Sequence, residues 1–296
     1  MRPNQLLTAA ALLLQVVGAE LTLRLVSYNI RYAATSLMTN EKPWATRRPL
    51  LVNQLSETIA AAPSGALTVI GMQEVLHQQL LDIKNGLGSK WAHIGVARDD
   101  GKQSGEYCPI LYDTTAVKLV YTETKWLSPT PDTPSFGWNA GSRRVITVGV
   151  FEDIKSGQRF LATNTHLDNA SSQARSEGVK VALDVIKRVQ ATYGPLGVSL
   201  TGDFNSPPGG DAYTTVENDG YVEEIYGLVN SSKRFGPFDT YTGFTSTTGS
   251  RIDFIWVGPA SENFWTVDRY EVMDNVKDGV YTSDHRAVVG DLKLST

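Results

Sequence analysis

The stretch Thr201-Gly202-Asp203-Phe204-Asn205 carries an acid and an amide at alternate positions, directly after the apolar run 196–200. A short apolar run that ends at a glycine is typical of a buried strand. Alternate side chains of an extended chain share one face, so Asp203 and Asn205 are expected to point into one cleft while Phe204 packs behind them. Such a pair could take a proton from water and hold a phosphate oxygen. A plain turn is the alternative, because Gly, Asp and Asn also populate turns.

Other polar clusters have the same design, because each is expected to follow a strand-like run and to place its polar residues at the strand end. Loops at the ends of strands on a rigid sheet are frequent locations of functional sites. The clusters cover residues 27–31, 71–75, 105–107, 164–168, 251–255 and 283–286.

Taken one at a time, these residues have ordinary structural explanations. Glu74 could be an acid at a helix start, where the dipole favours it, and His166 or His285 could be structural histidines. Asp253 is harder to explain in this way, because it lies inside an apolar strand pattern and a buried acid is costly unless paired.

Together, and in this chain order, the clusters resemble the endonuclease/exonuclease/phosphatase superfamily, which includes pancreatic deoxyribonuclease, apurinic endonucleases, bacterial sphingomyelinases, inositol polyphosphate 5-phosphatases and deadenylases. The resemblance covers essentially the whole chain after residue 19. The motifs that carry it are Gln73-Glu74, Thr165-His166-Leu167, Gly202-Asp203-Phe204-Asn205 and Ser283-Asp284-His285. The stretch 95–102, followed by Gly105-Glu106-Tyr107, looks like a poorly characterised secreted branch of it.

The resemblance implies a metal-dependent attack of water on phosphorus. Glu74 would be the main ligand of Mg²⁺ (or Mn²⁺), with Asn29 and Asp284 close by or ligating through water, and Mg²⁺ prefers such oxygen ligands. Asp203 would orient and deprotonate the attacking water, and Asn205 would hold a phosphate oxygen. No Ser, Cys or Lys nucleophile is needed, and no covalent intermediate is expected.

The resemblance also implies two imidazoles that donate to the phosphate. His285 would pair with Asp253 and His166 with Glu106, and each carboxylate would fix the tautomer and favour the charged ring. Some arginines could add phosphate contacts, although ordinary surface positions are the alternative for them. These substrate-binding candidates are Arg31, Arg98, Arg143 and Arg144.

The elements that must position these residues are mostly strands that follow one another directly. Strand-like runs cover residues 21–30, 66–72, 91–96, 107–112, 117–126, 145–151, 159–165, 196–200, 251–257, 264–272 and 285–292, and helical patterns cover 44–62, 77–87, 172–191 and 213–216. This order argues against a parallel doubly wound fold. It predicts a four-layer α/β/β/α sandwich, in which two mostly antiparallel sheets pack face to face with helices outside. His77 and His93 fit the element patterns and are expected to be structural.

Length and composition predict a single catalytic domain over residues 20–296, because the 296 residues contain no linker or low-complexity tract. Residues 1–19 have a basic start, an apolar run at 6–17 and small residues before Glu20, as a secretory signal does. A membrane anchor is the alternative, but this apolar run is too short to span a bilayer. We therefore expect a secreted protein. The formal net charge of −4 argues against a non-specific basic nucleic-acid clamp.

The single cysteine, Cys108, lies in an apolar run and is expected to be buried and inert, so that the core is held without an internal disulfide. Asn169 and Asn230 begin glycosylation sequons. We expect a monomer with no stable protein partner.

The substrate depends on loops, and two of these are aromatic, at 126–138 and 235–244. Their aromatic rings could stack on bases or sugars, or could simply pack the loops. The first hypothesis is a secreted phosphodiesterase, such as a nuclease. The second is a phosphatase or phosphodiesterase for sugar phosphates, phosphorylated glycans or lipid headgroups. The third is a non-enzymatic binding protein on the same fold.

Overall fold

Two β-sheets pack against each other in the structure, a computed structural model that describes residues 20–246 and 249–295. The predicted signal peptide, residues 1–19, lies outside the described residues. In chain order the strands are β1 (Leu21–Asn29), β2 (Leu67–Gln73), β3 (Trp91–Ile94), β4 (Ile110–Asp113), β5 (Val117–Trp126), β6 (Val145–Asp153), β7 (Arg159–His166), β8 (Gly197–Asp203), β9 (Glu223–Glu224), β10 (Arg234–Phe235), β11 (Asp253–Gly258), β12 (Trp265–Val272), β13 (Val276–Lys277), β14 (Val280–Tyr281) and β15 (Val288–Leu294). The α-helices are α1 (Trp44–Ala60), α2 (His77–Leu87), α3 (Ser172–Tyr193), α4 (Asp211–Asp219) and α5 (Ile225–Leu228).

Among the described residues, the first sheet has the order β10-β12-β15-β1-β2-β4-β3 and the second β5-β6-β7-β8-β11-β9, while β13 and β14 form a separate hairpin. Most neighbouring strands are antiparallel; the parallel pairs are β1 with β2, β7 with β8 and β10 with β12. The mostly antiparallel arrangement predicted from the sequence is therefore confirmed.

Three apolar layers hold the sandwich together. The middle layer joins the inner faces of the two sheets, for example Leu23 of β1 with Phe160 of β7. One outer layer packs α1 and α2 on the first sheet through residues such as Leu51. The other packs α3 and α4 on the second sheet through residues such as Ile186 and Phe204. The layer order is thus α/β/β/α, as expected.

A buried polar contact between the sheets fixes their relative position close to one edge. Asn164 of β7 donates from Nδ2 to the carbonyl oxygens of Met72 (2.7 Å) and Pro109 (3.0 Å). Its Oδ1 accepts from Gln73 Nε2 (2.7 Å) and from Thr201 Oγ1 (3.1 Å). These bonds tie the carboxyl ends of β2, β7 and β8 together, because a buried amide is stable only when it is hydrogen-bonded.

The main differences from the sequence predictions lie at element ends and in very short elements. The run 107–112 becomes a strand only at Ile110, and the helix predicted at 213–216 extends over Asp211–Asp219. The two-residue strands and the single-turn helix α5 were not predicted. No helix of the described residues is long and apolar enough to cross a membrane.

Candidate active site

The polar clusters converge on one edge of the sandwich, around a cavity of about 440 Å³. Residues at the carboxyl ends of β1, β2, β7 and β8 meet there. Asp253, His285 and Glu106 instead come at or before the start of a following strand, which corrects the expectation that every cluster follows a strand. The first residue of an antiparallel strand lies beside the last residue of its neighbour, and Asp253 indeed pairs with Asp203. The cavity is lined by Arg31, Tyr32, Met38, Glu74, Arg98, Glu106, Ser142, Arg144, His166, Asn169, Asp203, Asn205, Tyr241, Ile252, Asp284 and His285.

Three of the residues that line the cavity have left-handed backbones. Arg31, Glu74 and Asn205 have φ of 57°, 59° and 48°. Side chains other than glycine rarely adopt this region, and the strain is commonly found at functional sites. In each case the left-handed turn comes directly after a strand or within two residues of it, and the turned residue lines the cavity.

Asp203 is the centre of the arrangement. Its Oδ2 accepts from Asn29 Nδ2 at 2.9 Å, and its Oδ1 accepts from the backbone N–H of Asn205 at 2.9 Å. The same Oδ2 lies 3.4 Å from His166 Nε2 and 3.7 Å from His285 Nε2. Burial, together with the negative charge of Asp253, raises the pKa of Asp203 to about 7. A carboxylate of that pKa suits a general base at neutral pH.

His285 pairs with Asp253, as the family resemblance implied. His285 Nδ1 lies 2.8 Å from Asp253 Oδ2, and both side chains are buried. Burial opposes a charged imidazole, but the negative charges of Asp253 and Asp203 overcome it and raise the pKa of His285 well above its usual value. The ring therefore carries a proton on Nε2 that faces the cavity.

The predicted pairing of His166 with Glu106 is wrong as a hydrogen bond. Their nearest atoms, Nδ1 and Oε2, are 3.9 Å apart. Both oxygens of Glu106 accept from Arg98 instead, at 2.7 and 2.8 Å. His166 Nε2 lies 3.1 Å from Asn205 Nδ2. The expectation of a charged ring is also wrong, because burial and the charges of Arg144 and Arg98 hold the pKa of His166 well below its usual value.

The predicted metal-site residues lie around Asp203, and Asn29 is close by, as predicted, without being a ligand. Asn29 is fully buried, and its Oδ1 accepts from the N–H of Arg31 at 3.0 Å. Its Nδ2 therefore faces Asp203 and Glu74, with 3.1 Å to Glu74 Oε1. In this orientation Asn29 positions the two carboxylates and does not present its oxygen as a ligand.

Glu74 and Asp284 fit a hard divalent cation. Both line the cavity, and the N–H of Tyr32 at 3.2 Å from Oε2 fixes the Glu74 carboxylate. Burial and the nearby charge of Glu74 raise the pKa of Asp284. Acids that repel one another in this way are stabilised by a shared cation, and oxygen donors are what Mg²⁺ and Mn²⁺ prefer.

The group Asp203, Asp253 and His285 also has ligand atoms within 4.8 Å of one another. We assign it to proton chemistry rather than to a cation, because the imidazole between the two acids holds a proton on each nitrogen and an imidazolium cannot ligate a metal.

The four candidate arginines do not share one location. Arg31, Arg98 and Arg144 line the cavity. Arg143 does not, which corrects its prediction: its guanidinium lies 3.5 Å from Asp99 and stacks 4.5 Å from the ring of Phe136. Adjacent residues of an extended chain point to opposite faces, so only one of this pair can face inward.

Several residues of the cavity wall were not predicted from the sequence. Tyr241 packs against His285 with ring centroids 5.0 Å apart and the ring planes tilted by 58°, and Tyr32 lies under the guanidinium of Arg31. Only the general observation of an aromatic loop at 235–244 pointed to the first of these, and nothing pointed to Ser142. The sequon residues Asn169 and Asn230 are exposed, and their glycosylation stays a prediction.

The other predictions about single side chains can be checked directly. Cys108 is buried, as expected, and burial raises the pKa of its thiol to about 12. His77 and His93 lie away from the cavity. The first contacts the hydroxyl of Tyr107 through Nδ1 at 3.0 Å, in agreement with a structural role.

The arrangement brings together a buried base, a charged imidazole, a neutral imidazole and a pair of acids suited to a cation. Charge that develops on a phosphoryl oxygen would be stabilised by the imidazolium and by the guanidinium groups of the wall. Asp203 is the buried carboxylate of this group that is placed to accept a proton.

Comparison with known proteins agrees with this geometry. The chain is similar to a mannosyl-6-phosphatase of Bacteroides thetaiotaomicron, with 32% identity and a TM-score of 0.80 over 91% of this chain and 99% of that one. It is also similar to an endonuclease/exonuclease/phosphatase family protein of the same organism, with 31% identity and a TM-score of 0.82 over 94% and 99%. The catalytic domain of human Nocturnin shares the fold, at 20% identity and a TM-score of 0.67 over 93% of this chain and 94% of that one.

A search of curated protein sequences gives no match. The model of the endonuclease/exonuclease/phosphatase family matches residues 26–285, which include every catalytic and metal-binding candidate described above. The chain therefore belongs to the endonuclease/exonuclease/phosphatase family, whose members hydrolyse phosphoesters.

Proposed function

We propose that this protein is a divalent-metal-dependent hydrolase that cleaves a phosphoester carried by a sugar or glycan, with water as the direct nucleophile. One observation supports the chemistry above all. Oδ2 of the buried base Asp203 lies 3.4 and 3.7 Å from the Nε2 atoms of His166 and His285, inside the same cavity as Glu74 and Asp284.

The choice of a sugar over a polynucleotide is supported by the cavity and by one relative. A volume of about 440 Å³ is in the range of small-molecule sites. Its wall mixes Tyr32 and Tyr241 with polar groups, a combination that suits a sugar ring. The similar mannosyl-6-phosphatase acts on a phosphorylated sugar by its name. A duplex backbone would favour a basic surface, whereas the formal net charge here is −4.

Each residue has a defined task in this proposal. Asp203 accepts the proton of the attacking water, and Asn29 holds its carboxylate in place. His285, charged by Asp253, donates from Nε2 to a phosphoryl oxygen. Asn205 keeps His166 in position, because its Nδ2 lies 3.1 Å from His166 Nε2 and donates to the Leu167 carbonyl oxygen at 3.0 Å.

The cation would be held by Glu74 and Asp284. When bound, Mg²⁺ or Mn²⁺ would neutralise the developing charge of the phosphoryl and leaving oxygens. The protein's own contribution is to hold these two acids in the same cavity as the charged imidazole.

Phosphate release by the purified protein tests the proposal. Residues 20–296 are incubated with Mg²⁺ or Mn²⁺ and with mannose 6-phosphate, glucose 6-phosphate, plasmid DNA, RNA or sphingomyelin. We expect release from the sugar phosphates, abolished by EDTA, and a loss of roughly 10²-fold or more in turnover in Asp203→Asn, His285→Ala and Glu74→Ala. Cleavage of DNA or RNA with sugar phosphates left intact would favour the nuclease hypothesis, and activity that resists EDTA would contradict the metal mechanism.

We also propose that residues 1–19 direct secretion and are removed before Glu20. The apolar run 6–17 between a basic start and small residues supports this. Expression of the full chain in a secreting host, followed by N-terminal sequencing of the protein in the medium, should give Glu20 as the first residue. Retention of the uncleaved chain in the cell would contradict it.

A further inference from the structure

The guanidinium of Arg144 forms part of the cavity wall next to His166. Arg144 directly precedes β6, and Ile146 of β6 pairs with Thr165 of β7. Strand pairing therefore places Arg144 alongside the end of β7, where His166 projects. Arg144 is buried, lines the cavity, and is the first charged group that lowers the pKa of His166.

Within the described part of the chain, the guanidinium of Arg144 has N–H donors without a hydrogen-bond acceptor. Its Nε lies 3.4 Å from Asp168 Oδ2, and its Nη2 donates to Asn169 Oδ1 at 3.0 Å. Among the residues that the structure describes, Nη1 has no hydrogen-bond partner. A guanidinium has five N–H donors, and the two on Nη1 of Arg144 are left for a ligand. A buried group of this kind is costly unless something accepts from it.

Asp168 holds Arg144 in place, but it does not form a close ion pair that would neutralise the charge of the guanidinium. The Asp168 carboxylate is 1% exposed and accepts from the backbone N–H groups of Gly141, Ser142, Ala170 and Ser171 at 2.9–3.2 Å. Its charge is shared over these donors, and its contact with Arg144 is the longest of the set. The loop before β6 and the turn after β7 are thereby fixed to each other, and the positive charge of Arg144 stays available to the cavity.

The second guanidinium at this wall, that of Arg98, is paired with a carboxylate. Arg98 binds both oxygens of Glu106 in a fork, so that pair is neutral as a unit. Arg144 is therefore the cation at this side of His166 with the weakest counterion among the described residues.

A phosphate monoester and a diester differ at this side of phosphorus. A monoester carries about −1.5 to −2 charge at pH 7 and three non-bridging oxygens. A diester has two such oxygens, one negative charge and a second carbon-bearing arm. If this second arm lay against the guanidinium of Arg144, the N–H groups of Arg144 would be desolvated and would have no acceptor.

We propose that Arg144, positioned by Asp168, binds the third non-bridging oxygen of a phosphate monoester and so makes the protein a monoesterase. The inference rests on the proposed function, since it concerns the same cavity. It assigns a binding role to Arg144 and a positioning role to Asp168.

Paired kinetics test the inference. The ratio of kcat/KM for p-nitrophenyl phosphate to that for bis-p-nitrophenyl phosphate is measured in the wild type, in Arg144→Gln and in Arg144→Lys. Loss of one charged donor costs about 10²-fold, so we expect Arg144→Gln to lose about 10²-fold on the monoester and no more than threefold on the diester. Arg144→Lys should lie between, because lysine keeps the charge and loses the fork. Arg159→Gln, an exposed arginine at the other end of β7, is the charge-matched control.

Binding of inorganic phosphate, measured by calorimetry with Mn²⁺ present, gives a second readout that needs no turnover. We expect its Kd to rise about 10²-fold in Arg144→Gln and about tenfold or more in Asp168→Asn, the usual scale for a group that orients another. Thermal unfolding checks that each variant is folded, and a variant that does not fold is replaced in both readouts by Arg144→Lys.

The outcomes separate the two proposals. A wild type that prefers the diester, a ratio that Arg144→Gln leaves unchanged, or an unchanged Kd for phosphate would overturn the role of Arg144. If the wild type releases phosphate from neither of these esters nor from the sugar phosphates, the proposed function fails, and the phosphate Kd alone then decides about Arg144.

Discussion

The contact between His285 and Asp253 yields the most specific test of the mechanism. Asp253→Asn keeps the shape of the side chain and removes its charge. The amide oxygen can still accept from His285 Nδ1 at the present 2.8 Å, so the ring keeps its orientation. What disappears is the first of the charges that raise the pKa of His285. The imidazole would then lose much of its proton at neutral pH.

The expected loss can be estimated from this contact. A hydrogen bond to a charged group contributes about 1.5–3 kcal/mol and a neutral one about 1. The substitution therefore removes about 0.5–2 kcal/mol from the bond itself, which is roughly tenfold near the middle of that range. Loss of the ring's charge brings the total to about 10²-fold in kcat. His285→Ala removes the donor altogether and should cost about 10²–10³-fold.

A double-mutant cycle distinguishes this role from a general effect of the buried acid. If Asp253 acts through His285, the double variant should be within about threefold of His285→Ala, because residues that act as a unit are not additive. kcat is measured with p-nitrophenyl phosphate under saturating Mg²⁺, with urea unfolding of each variant. Asp153→Asn, a buried acid that accepts from Ser156 in a distant turn, is the matched control and should leave kcat unchanged. Multiplicative losses in the double variant would refute the reasoning.

Three further results are expected. Asn164→Ala should lower the free energy of unfolding by about 3 kcal/mol, since it leaves buried partners in both sheets unpaired. The control Asn53→Ala, at an exposed position, should change this free energy by less than about 0.5 kcal/mol. Urea unfolding measures both variants, and equal losses would contradict the role of the inter-sheet contact. Cys108 should not react with a thiol reagent at pH 8 unless the protein is unfolded, because burial raises the pKa of its thiol to about 12. Rapid labelling of the native protein would be inconsistent with that burial. Glu74→Gln should weaken Mn²⁺ binding at least about tenfold in calorimetry, and an unchanged Kd would remove Glu74 from the metal site.

Much of the fold was predictable, because long strands and helices carry a repeating pattern of apolar residues. The bounds of α2 and β5 agree with the prediction to the residue. Two-residue strands such as β9 have no room for a pattern, and their existence depends on a neighbouring strand edge, in this case that of β11. The sandwich order followed from the succession of strands with few helices between them.

The sequence by itself determined which residues stand at the strand ends, since Asp203, His166 and Glu74 follow apolar runs whose alternation sets their direction. Which of these side chains pair was decided only by the tertiary structure. Glu106 binds Arg98, and not His166, because a guanidinium fork held on the same loop satisfies both carboxylate oxygens at once. Arg144 faces the cavity and Arg143 does not, because the register of the pairing with β7 fixes which of the two adjacent arginines is turned inward. That register depends on contacts between residues distant in the chain, so the sequence alone does not reveal it.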